Sequence, residues 1–373
     1  MAPSSRPAVY RATGIKRPLT EQELVTALEK LFSEDGTIQI QAMISPGCYS
    51  HDVIDVALVT FLPKAPTSLE EMIRNRDSVL IDTEKGQLLF DRNFHGLTQL
   101  YPTTKGVAVT ADIVAVTGLD GHAYGSWRSR ESGKMWLRDF LSESFPTCRT
   151  MIYGYDSKLG STVGMHRILD YKRAFIEDLK MTRRLTESTD RPLIFICHSF
   201  GGIIVAQTLV SAARAEKFAD PTQYAIFTAT RGIMFFGTPH RGLLTEDILS
   251  MVDRNEQPER TRLVESIDTS SQELRTELEG FIGIAAVGKF KVFSFYETKK
   301  SRKLVKGPSG GFSRSGDWFF PVANDSALLD LPGDSEVAIP VHEDHSNIVK
   351  FSSPQDSTFE IVRHHISEVS AGL

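Results

Sequence analysis

The sequence predicts an α/β protein with a doubly wound, mostly parallel sheet. From about residue 110, short apolar runs alternate with longer amphipathic stretches at the spacing of strand-helix-strand units. Runs such as "LIFIC" and "IMFF" are apolar without alternation, which is typical of strands covered by helices on both faces. The chain before this point has a different pattern. We therefore predict a small α+β unit over residues 1–105 and a larger domain over residues 106–373.

The predicted N-terminal unit contains two helix signals and three strand-like runs. Thr20 and Ser68 are each followed three residues later by a glutamate, Glu23 and Glu71, which is the pattern of a capping box. The runs "TIQIQAMI", "VIDVALVTFL" and "GQLLFD" predict strands. No motif in this unit indicates chemistry, so its role is not assigned.

The larger domain is predicted to alternate strands and helices along its length. The predicted strands are "DIVAVTGL", "TMIYGYDS", "PLIFICHS", "GIMFFGTP" and "FKVFSFYET". The predicted helices are "GKMWLRDFL", "MHRILDYKRAFIEDLKMTRRL", "IIVAQTLVSAARA" and the C-terminal "FEIVRHHISEV". The segment from about Leu243 to Gly288 is long enough to form a helical lid over a cleft. Its run "FIGIAAVG" favours a buried core helix over an acyl-binding site.

Charge and composition bear on the class of protein. The formal net charge is -5, which argues against a general nucleic-acid binder. The basic cluster is short and is interpreted as solvated surface; it consists of Lys299, Lys300, Arg302, Lys303 and Lys306. Hydrophobic residues make up 41% of the chain, which is enough for a sizeable core.

Cysteine usage and the termini indicate the compartment. Cys48, Cys148 and Cys197 lie far apart and predict neither a disulfide framework nor a zinc site, so no metal or cofactor is expected. The N-terminus lacks the apolar region of a signal peptide. No apolar run approaches the ~20 residues needed to span a bilayer. We expect a cytoplasmic protein, with peripheral membrane contact and the oligomeric state left open.

The stretch "CHSFGG" joins a predicted buried strand directly to a predicted helix, which is the setting of a nucleophile elbow. It offers two candidate nucleophiles, Cys197 and Ser199. Gly201 and Gly202 supply the small residues that the tight turn requires. Cys197 stands where the usual pattern has glycine, and we interpret it as a packing residue. Ser199 is the predicted nucleophile, the alternative being a serine that only caps the helix.

A serine nucleophile needs a base, which in this arrangement lies C-terminal to it. His345 is favoured because it precedes "SNIVKF", a predicted helix start capped by Ser346 or Asn347. His342 is closer to a strand and is interpreted as structural. The remaining candidates are interpreted as misplaced or as surface residues; they are His240, His364 and His365.

The acid should end a strand between the serine and the histidine. Glu297 fits because it ends "FKVFSFYE", although a glutamate at a strand end is often only solvated. Glu246 and Asp253 resemble charges on a helix surface. Asp344 is too close in sequence to His345 to orient its ring easily. The residues alone therefore leave the acid open.

An oxyanion hole requires two backbone donors. The N–H group of Phe200, directly after the nucleophile, is the first expected donor. The second is expected from the glycine-rich loop in "AVTGLDGHAYGSW", where Leu119 is favoured and Asp120 is the alternative.

Seven blocks in order resemble a known family: "DIVAVTGLDGHAYGSW", "MWLRDFL", "YGYDS", "IFICHSFGG", "IMFFGTPHRG", "FSFYET" and "DHSNIVKF". They are similar to the α/β-hydrolases related to the GPI-inositol-deacylase and SERAC-type serine esterases, and the likeness is greatest to the fungal branch. The resemblance covers residues 110–352 and implies an α/β-hydrolase fold with the triad Ser199, Glu297 and His345. Cys197 and Thr117 depart from the family, which has glycine and histidine at these positions.

The resemblance implies a serine hydrolase or acyltransferase that acts on an ester or thioester through an acyl-serine intermediate. The expected substrate is a small or lipid-like acyl compound, including an acyl chain released from a carrier protein by a trans-acting thioesterase or cyclase. Water or an alcohol would accept the acyl group. The rival hypothesis is a non-catalytic interaction module that retains the fold.

Overall fold

A computed structural model describes residues 7–33, 38–49, 54–74, 76–158, 167–215, 218–249, 258–306 and 312–371. The first part forms a five-stranded antiparallel sheet with the strand order β2-β3-β1-β5-β4. Its elements are β1 (Val9–Lys16), α1 (Glu21–Leu31), β2 (Gln39–Pro46), β3 (Ile54–Leu62), α2 (Thr67–Ile73), β4 (Ser78–Thr83) and β5 (Gly86–Asp91). Both helices contribute to the same apolar cluster as the inner strands, through residues such as Leu24 and Leu69.

The two predicted helix starts of this part have different outcomes. Thr20 caps α1, because its hydroxyl accepts the N–H group of Glu23 and the Glu23 carboxylate accepts the N–H group of Thr20. The prediction that Ser68 caps the second helix is wrong, because α2 begins at Thr67 and its N-cap is Pro66, which has no side-chain hydrogen bond to offer.

The second sheet has seven strands in the order β14-β11-β10-β9-β7-β8-β6. All neighbouring strands are parallel except β6, which pairs antiparallel with β8 at one edge. These strands are β6 (Gly96–Gln99), β7 (Asp112–Val116), β8 (Arg149–Gly154), β9 (Leu193–His198), β10 (Thr230–Phe236), β11 (Lys291–Glu297) and β14 (Glu336–Val341). A short antiparallel hairpin, β12 (Ser301–Lys306) and β13 (Phe312–Phe319), lies outside this sheet.

The chain leaves the smaller sheet at Asp91, the end of β5, and enters the larger sheet at Gly96, the start of β6. The predicted boundary at residue 105 therefore falls after the first strand of the larger sheet. Residues near that boundary connect the two parts, because Arg11 of β1 donates to the His95 carbonyl oxygen and to the Thr98 hydroxyl. The division of the chain into domains remains a prediction.

Helices cover both faces of the larger sheet. They are α3 (Trp136–Asp139), α4 (Leu141–Ser144), α5 (Ile168–Leu185), α6 (Phe200–Arg214), α7 (Pro221–Ala229), α8 (Glu246–Leu249), α9 (Pro258–Glu265), α10 (Gln272–Val287), α11 (Asn324–Ala327) and α12 (Ser357–Ala371). Within β9, Phe195 and Cys197 pack in the cluster that contains α5, α6 and α10, whereas Ile194 and Ile196 pack in the cluster that contains α3 and α12. This explains why the strand is apolar at every position.

The direction in which successive strands are added to the sheet reverses between β8 and β9. From β7 the chain crosses to β8 on one side and then returns to β9 on the other, after which β10, β11 and β14 follow outward. Ligands of open α/β sheets bind at the carboxyl edge next to such a reversal. The residues that follow β7 and β9 lie at this point. None of the described helices has an apolar stretch long enough to cross a membrane.

Candidate active site

Ser199 lies in a sharp turn between β9 and α6. Its backbone has φ 51° and ψ -126°, a region that residues with a side chain rarely occupy. A Cβ atom on Gly201 would lie 2.4 Å from the carbonyl oxygen of Val116, and one on Gly202 would lie 2.1 Å from Oγ1 of Thr238. The turn therefore needs glycine at both positions, and its strain holds the serine at the carboxyl edge of the sheet.

His345 approaches Ser199 from a turn after β14. Its Nε2 atom lies 3.0 Å from the Ser199 hydroxyl oxygen. The predicted helix start at Ser346 or Asn347 is wrong: residues 345–349 form a turn. Asp344 caps this turn, because its carboxylate accepts the backbone N–H groups of Ser346 and Asn347. Asp344 thus holds the turn that carries the imidazole.

Glu297 is the last residue of β11 and is only 2% exposed. One carboxylate oxygen accepts the N–H group of Val322 at 3.2 Å and lies 3.5 Å from Nδ1 of His345. The second oxygen has no hydrogen-bond partner among the described residues, and neither has Nδ1 of His345. This separation is longer than a hydrogen bond of about 2.6–3.2 Å, and such contacts are often long in the absence of substrate.

The start of α6 and the glycine-rich loop after β7 both lie beside Ser199. Phe200 is the first residue of α6. The glycine-rich loop approaches from β7, since a Cβ atom on Gly118 would lie only 2.9 Å from Cβ of Ser199. The N–H group of Asp120 is already bound to the Ser157 carbonyl oxygen at 2.7 Å, whereas no acceptor is found for that of Leu119 in the described part of the chain. This favours Leu119 over Asp120 as a donor.

The loop is braced at Thr117, which stands where the resembled family has histidine. The Tyr155 hydroxyl donates to the Thr117 carbonyl oxygen at 2.7 Å. The Thr117 hydroxyl is buried and has no partner among the described residues. Tyr155, which follows β8, therefore fixes the start of this loop.

The order of the seven strands, the reversal beside β9 and the strained serine together define the fold. It is the fold of the α/β-hydrolases. Comparison with solved structures returns proteins of this fold, including a monoacylglycerol lipase of Paleococcus ferrophilus (TM-score 0.41, 12% identity, 74% of this chain and 98% of that chain). Another is the type II thioesterase YbtT of the yersiniabactin pathway (TM-score 0.37, 13% identity, 74% of this chain and 98% of that chain).

Sequence comparison relates this chain to SERAC1 proteins. It is 27% identical over 213 residues to Protein SERAC1 of Danio rerio, covering 51% of this chain and 30% of the relative. It is 24% identical over 260 residues to Protein SERAC1 of Homo sapiens, covering 65% of this chain and 38% of the relative. The chain therefore spans about a third of the length of these curated relatives. No family model matches the sequence. The likeness to the fungal branch and to GPI-inositol deacylases remains a prediction.

His198 also belongs to the candidate site, and the sequence analysis does not predict it. Its Nε2–H group donates to the carbonyl oxygen of His345 at 2.9 Å, and the two rings lie 5.1 Å apart. Burial, together with the charge of His345, lowers the pKa of His198 to about 3. The ring is therefore a neutral donor that fixes the backbone of His345. A polar residue ending the apolar strand "LIFICH" was the available sequence signal.

Cys197 is a free, fully buried cysteine in β9. It lies between Val116 of β7 and Phe235 of β10 in the sheet. Burial raises the pKa of its thiol well above the ordinary value. These properties agree with the interpretation of Cys197 as a packing residue, because an activated thiol requires a lowered pKa.

Among the described residues, His345 is the candidate histidine with a hydrogen bond to Ser199. His240 is buried among aromatic rings, and Nδ1 of His342 lies near the Thr298 hydroxyl. His364 and His365 lie on α12. The atoms of these two histidines and of Glu368 that could bind a metal ion lie within 4.8 Å of one another, but the Glu368 carboxylate already forms an ion pair with Lys291.

The predicted lid segment is described in part. Residues 250–257, which include Asp253, lie outside the described residues, and Glu246 is the first residue of α8. In α10, Phe281 and Ala285 are buried in the cluster that contains α6. The run "FIGIAAVG" thus packs one side of α10 against the core, but Val287 is 78% exposed, so the helix is only partly buried.

Proposed function

We propose that this chain is a serine hydrolase or acyltransferase that acts on an ester or thioester through an acyl-serine intermediate. The observation that carries the proposal is the contact of 3.0 Å between Nε2 of His345 and the hydroxyl of Ser199, in a strained elbow. In this proposal Glu297 is the acid of the triad, and Phe200 and Leu119 supply the oxyanion hole.

The first half-reaction forms the acyl-enzyme. The Ser199 oxygen attacks the substrate carbonyl carbon while Nε2 of His345 takes the hydroxyl proton. The carbonyl oxygen becomes an oxyanion, which accepts the N–H groups of Phe200 and Leu119. Each such donor typically contributes roughly 3 kcal/mol of transition-state stabilisation. When the carbonyl bond re-forms, the alcohol or thiol leaves with the proton from His345.

The second half-reaction releases the acyl group. A water molecule or an alcohol loses its proton to His345 and attacks the acyl-serine carbonyl carbon. Collapse of this intermediate breaks the bond to Ser199, whose oxygen recovers the proton. In both halves the imidazolium is stabilised by the buried carboxylate of Glu297, which also fixes the ring so that Nε2 faces the serine.

The burial of Glu297 supports its assignment as the acid. An ionised carboxylate that is 2% exposed is costly unless a neighbouring group compensates its charge. One oxygen accepts the Val322 N–H group and the other has no partner among the residues that the structure describes, so an imidazolium at His345 would supply the missing compensation. We expect Glu297→Gln to lower the turnover rate without unfolding the protein, since glutamine cannot balance that positive charge.

A finer proposal concerns the acyl donor and the compartment. A thioester held by a carrier protein fits this chemistry, because a thiolate is a good leaving group and the mechanism needs only the acyl carbonyl. Comparing hydrolysis of a p-nitrophenyl ester with that of an acyl-N-acetylcysteamine thioester tests the preference. A small or lipid-like acyl substrate and a cytoplasmic location also remain proposals.

The test of the triad uses two variants at the elbow. Ser199→Ala should lower hydrolysis of p-nitrophenyl butyrate roughly a thousandfold or more, as for other triad nucleophiles. Cys197→Ala is the control, since it removes the neighbouring sulfur and leaves the serine. Loss of turnover in Cys197→Ala with retention in Ser199→Ala would overturn the assignment. A folded wild-type protein that neither turns over esters nor reacts with a fluorophosphonate would favour the non-catalytic interaction module.

A further inference from the structure

The hairpin of β12 and β13 is inserted at the candidate active site. It begins four residues after Glu297 and ends at Phe319, three residues before Val322, whose N–H group binds the Glu297 carboxylate. Both of its ends are therefore fixed at the carboxyl edge of the sheet. The triad does not use this hairpin.

One face of the hairpin pairs cations with aromatic rings. Arg302 lies directly opposite Trp318 across the two strands, and its guanidinium lies 4.3 Å from the centre of a Trp318 ring. Next to this pair, the Lys300 ammonium lies 5.9 Å from the centre of the Phe320 ring. Arg302, Lys300 and Trp318 are exposed, and Trp318 has 57% of its surface accessible.

The hairpin is basic although the chain is acidic overall. The segment 299–320 contains six basic residues and one acidic residue, in a chain whose net charge is -5. They are Lys299, Lys300, Arg302, Lys303, Lys306 and Arg314, with Asp317. Such a local excess of positive charge attracts an anionic surface in spite of the net charge, because the field of distant charges is screened over about 10 Å.

The combination of residues favours one kind of anionic surface. Tryptophan is enriched where proteins meet the interface between lipid and water, since its ring is apolar and its N–H group is polar. Arginine and lysine beside it bind headgroup phosphates and contribute about 1 kcal/mol each near an anionic bilayer. An acidic protein would match the charge, but it would give no reason for an exposed tryptophan on the same face.

We propose that this face of the hairpin docks the protein onto an anionic phospholipid surface. Trp318 enters the interfacial region, while Arg302 and Lys300 bind lipid phosphates. Because the hairpin leaves the sheet at the edge where Ser199 lies, docking brings the candidate active site close to the bilayer. The proposal does not depend on the proposed chemistry, since binding requires no turnover.

The fluorescence of the protein offers a specific test. The sequence has three tryptophans, and Trp127 and Trp136 are fully buried. A shift of tryptophan emission to shorter wavelength on adding vesicles therefore reports Trp318. We expect this shift with phosphatidylcholine vesicles that contain phosphatidylglycerol, and not with phosphatidylcholine alone. The full chain carrying Ser199→Ala is used, so that lipid hydrolysis cannot change the vesicles.

Three further variants locate the surface. In vesicle flotation, Arg302→Glu should lower binding about tenfold or more, since it reverses one charge near the surface. Trp318→Ala should lower binding several-fold and abolish the emission shift. Lys105→Glu is the matched control: it makes the same charge change at an exposed lysine in the connection before β7, at the opposite edge of the sheet. Its binding should stay at the level of the parent chain.

Several outcomes would overturn the proposal. These are the absence of binding to anionic vesicles, equal loss in Arg302→Glu and Lys105→Glu, and binding without an emission shift. Binding of polyglutamate that equals vesicle binding would identify an acidic protein surface instead. Arg302→Glu in the chain with Ser199 intact should hydrolyse p-nitrophenyl butyrate in solution at the wild-type rate, so failure of docking is distinguishable from failure of the proposed chemistry.

Discussion

Gly201→Ala perturbs the contact between α6 and the glycine-rich loop after β7. A Cβ atom at this position would lie 2.4 Å from the Val116 carbonyl oxygen and 2.5 Å from that of Thr117, whereas ordinary contacts begin at 3.4 Å. Both obstacles are backbone atoms, which no side-chain rotation can move. The two segments must therefore separate by about 1 Å, a distance at which misplaced groups can cost a hundredfold in rate.

The expected magnitudes follow from this geometry. Overpacking of this kind typically costs about 1–3 kcal/mol of the free energy of unfolding. The separation also moves the Leu119 and Phe200 N–H groups relative to Ser199, and removal of one such donor typically lowers kcat about 10²–10³-fold. We therefore expect Gly201→Ala to lose at least a hundredfold in ester hydrolysis while it remains folded at neutral pH.

Urea unfolding and p-nitrophenyl butyrate hydrolysis measure the two effects. Gly283→Ala is the matched control, because Gly283 lies in the middle of α10 with no atom within 4 Å of a Cβ. That variant should gain roughly 0.5–1 kcal/mol of stability from reduced backbone freedom and keep its activity. Wild-type stability and activity in Gly201→Ala would refute the close approach of the loop to the helix.

Three further predictions concern buried groups. Cys197→Gly should retain activity, whereas Cys197→Leu should overpack the elbow and lower stability by about 1–3 kcal/mol together with activity; an active, stable leucine variant would refute the packing role. Asp112→Asn should lower the free energy of unfolding by about 3–5 kcal/mol, because it leaves the buried guanidiniums of Arg149 and Arg183 without their carboxylate. A loss below about 1 kcal/mol would show that water compensates these charges. Burial and the charge of Arg241 lower the pKa of His240 from 6.5 to about 3, so the unfolded chain takes up a proton below pH 6.5 that the folded chain does not. Stability should fall between pH 6.5 and 3, by about 2 kcal/mol at pH 5 from this residue, and His240→Gln should reduce that slope.

The sequence predicts the elements whose signal is local. The strands β7 to β11 and the helices α5 and α6 follow from apolar runs and helical periodicity, and "CHSFGG" indicates the elbow because its glycines are adjacent to Ser199 in the chain. Apolar runs do not predict the hairpin of β12 and β13, because its segment is basic and rich in glycine. Its strands are defined by pairing with each other, which composition does not reveal.

The long-range parts of the site needed more than local patterns. Glu297 and His345 meet because β11 and β14 are neighbours in the sheet, and that neighbourhood is a property of the whole topology. The residues alone left the acid open, and the family resemblance pointed to Glu297. The sequence predicts a helix start after His345 because Ser346 or Asn347 could cap it, but Asp344 accepts two backbone N–H groups and favours a capped turn instead.

The most direct test of the proposed acyl-serine chemistry is the site of covalent labelling. The protein is treated with a fluorophosphonate, digested, and its labelled peptide is sequenced by tandem mass spectrometry. The proposal predicts a single adduct on the Ser199 oxygen that is lost in Ser199→Ala and is formed much more slowly in His345→Ala. An adduct on Cys197 or on another serine, or labelling that persists in folded Ser199→Ala, would contradict it.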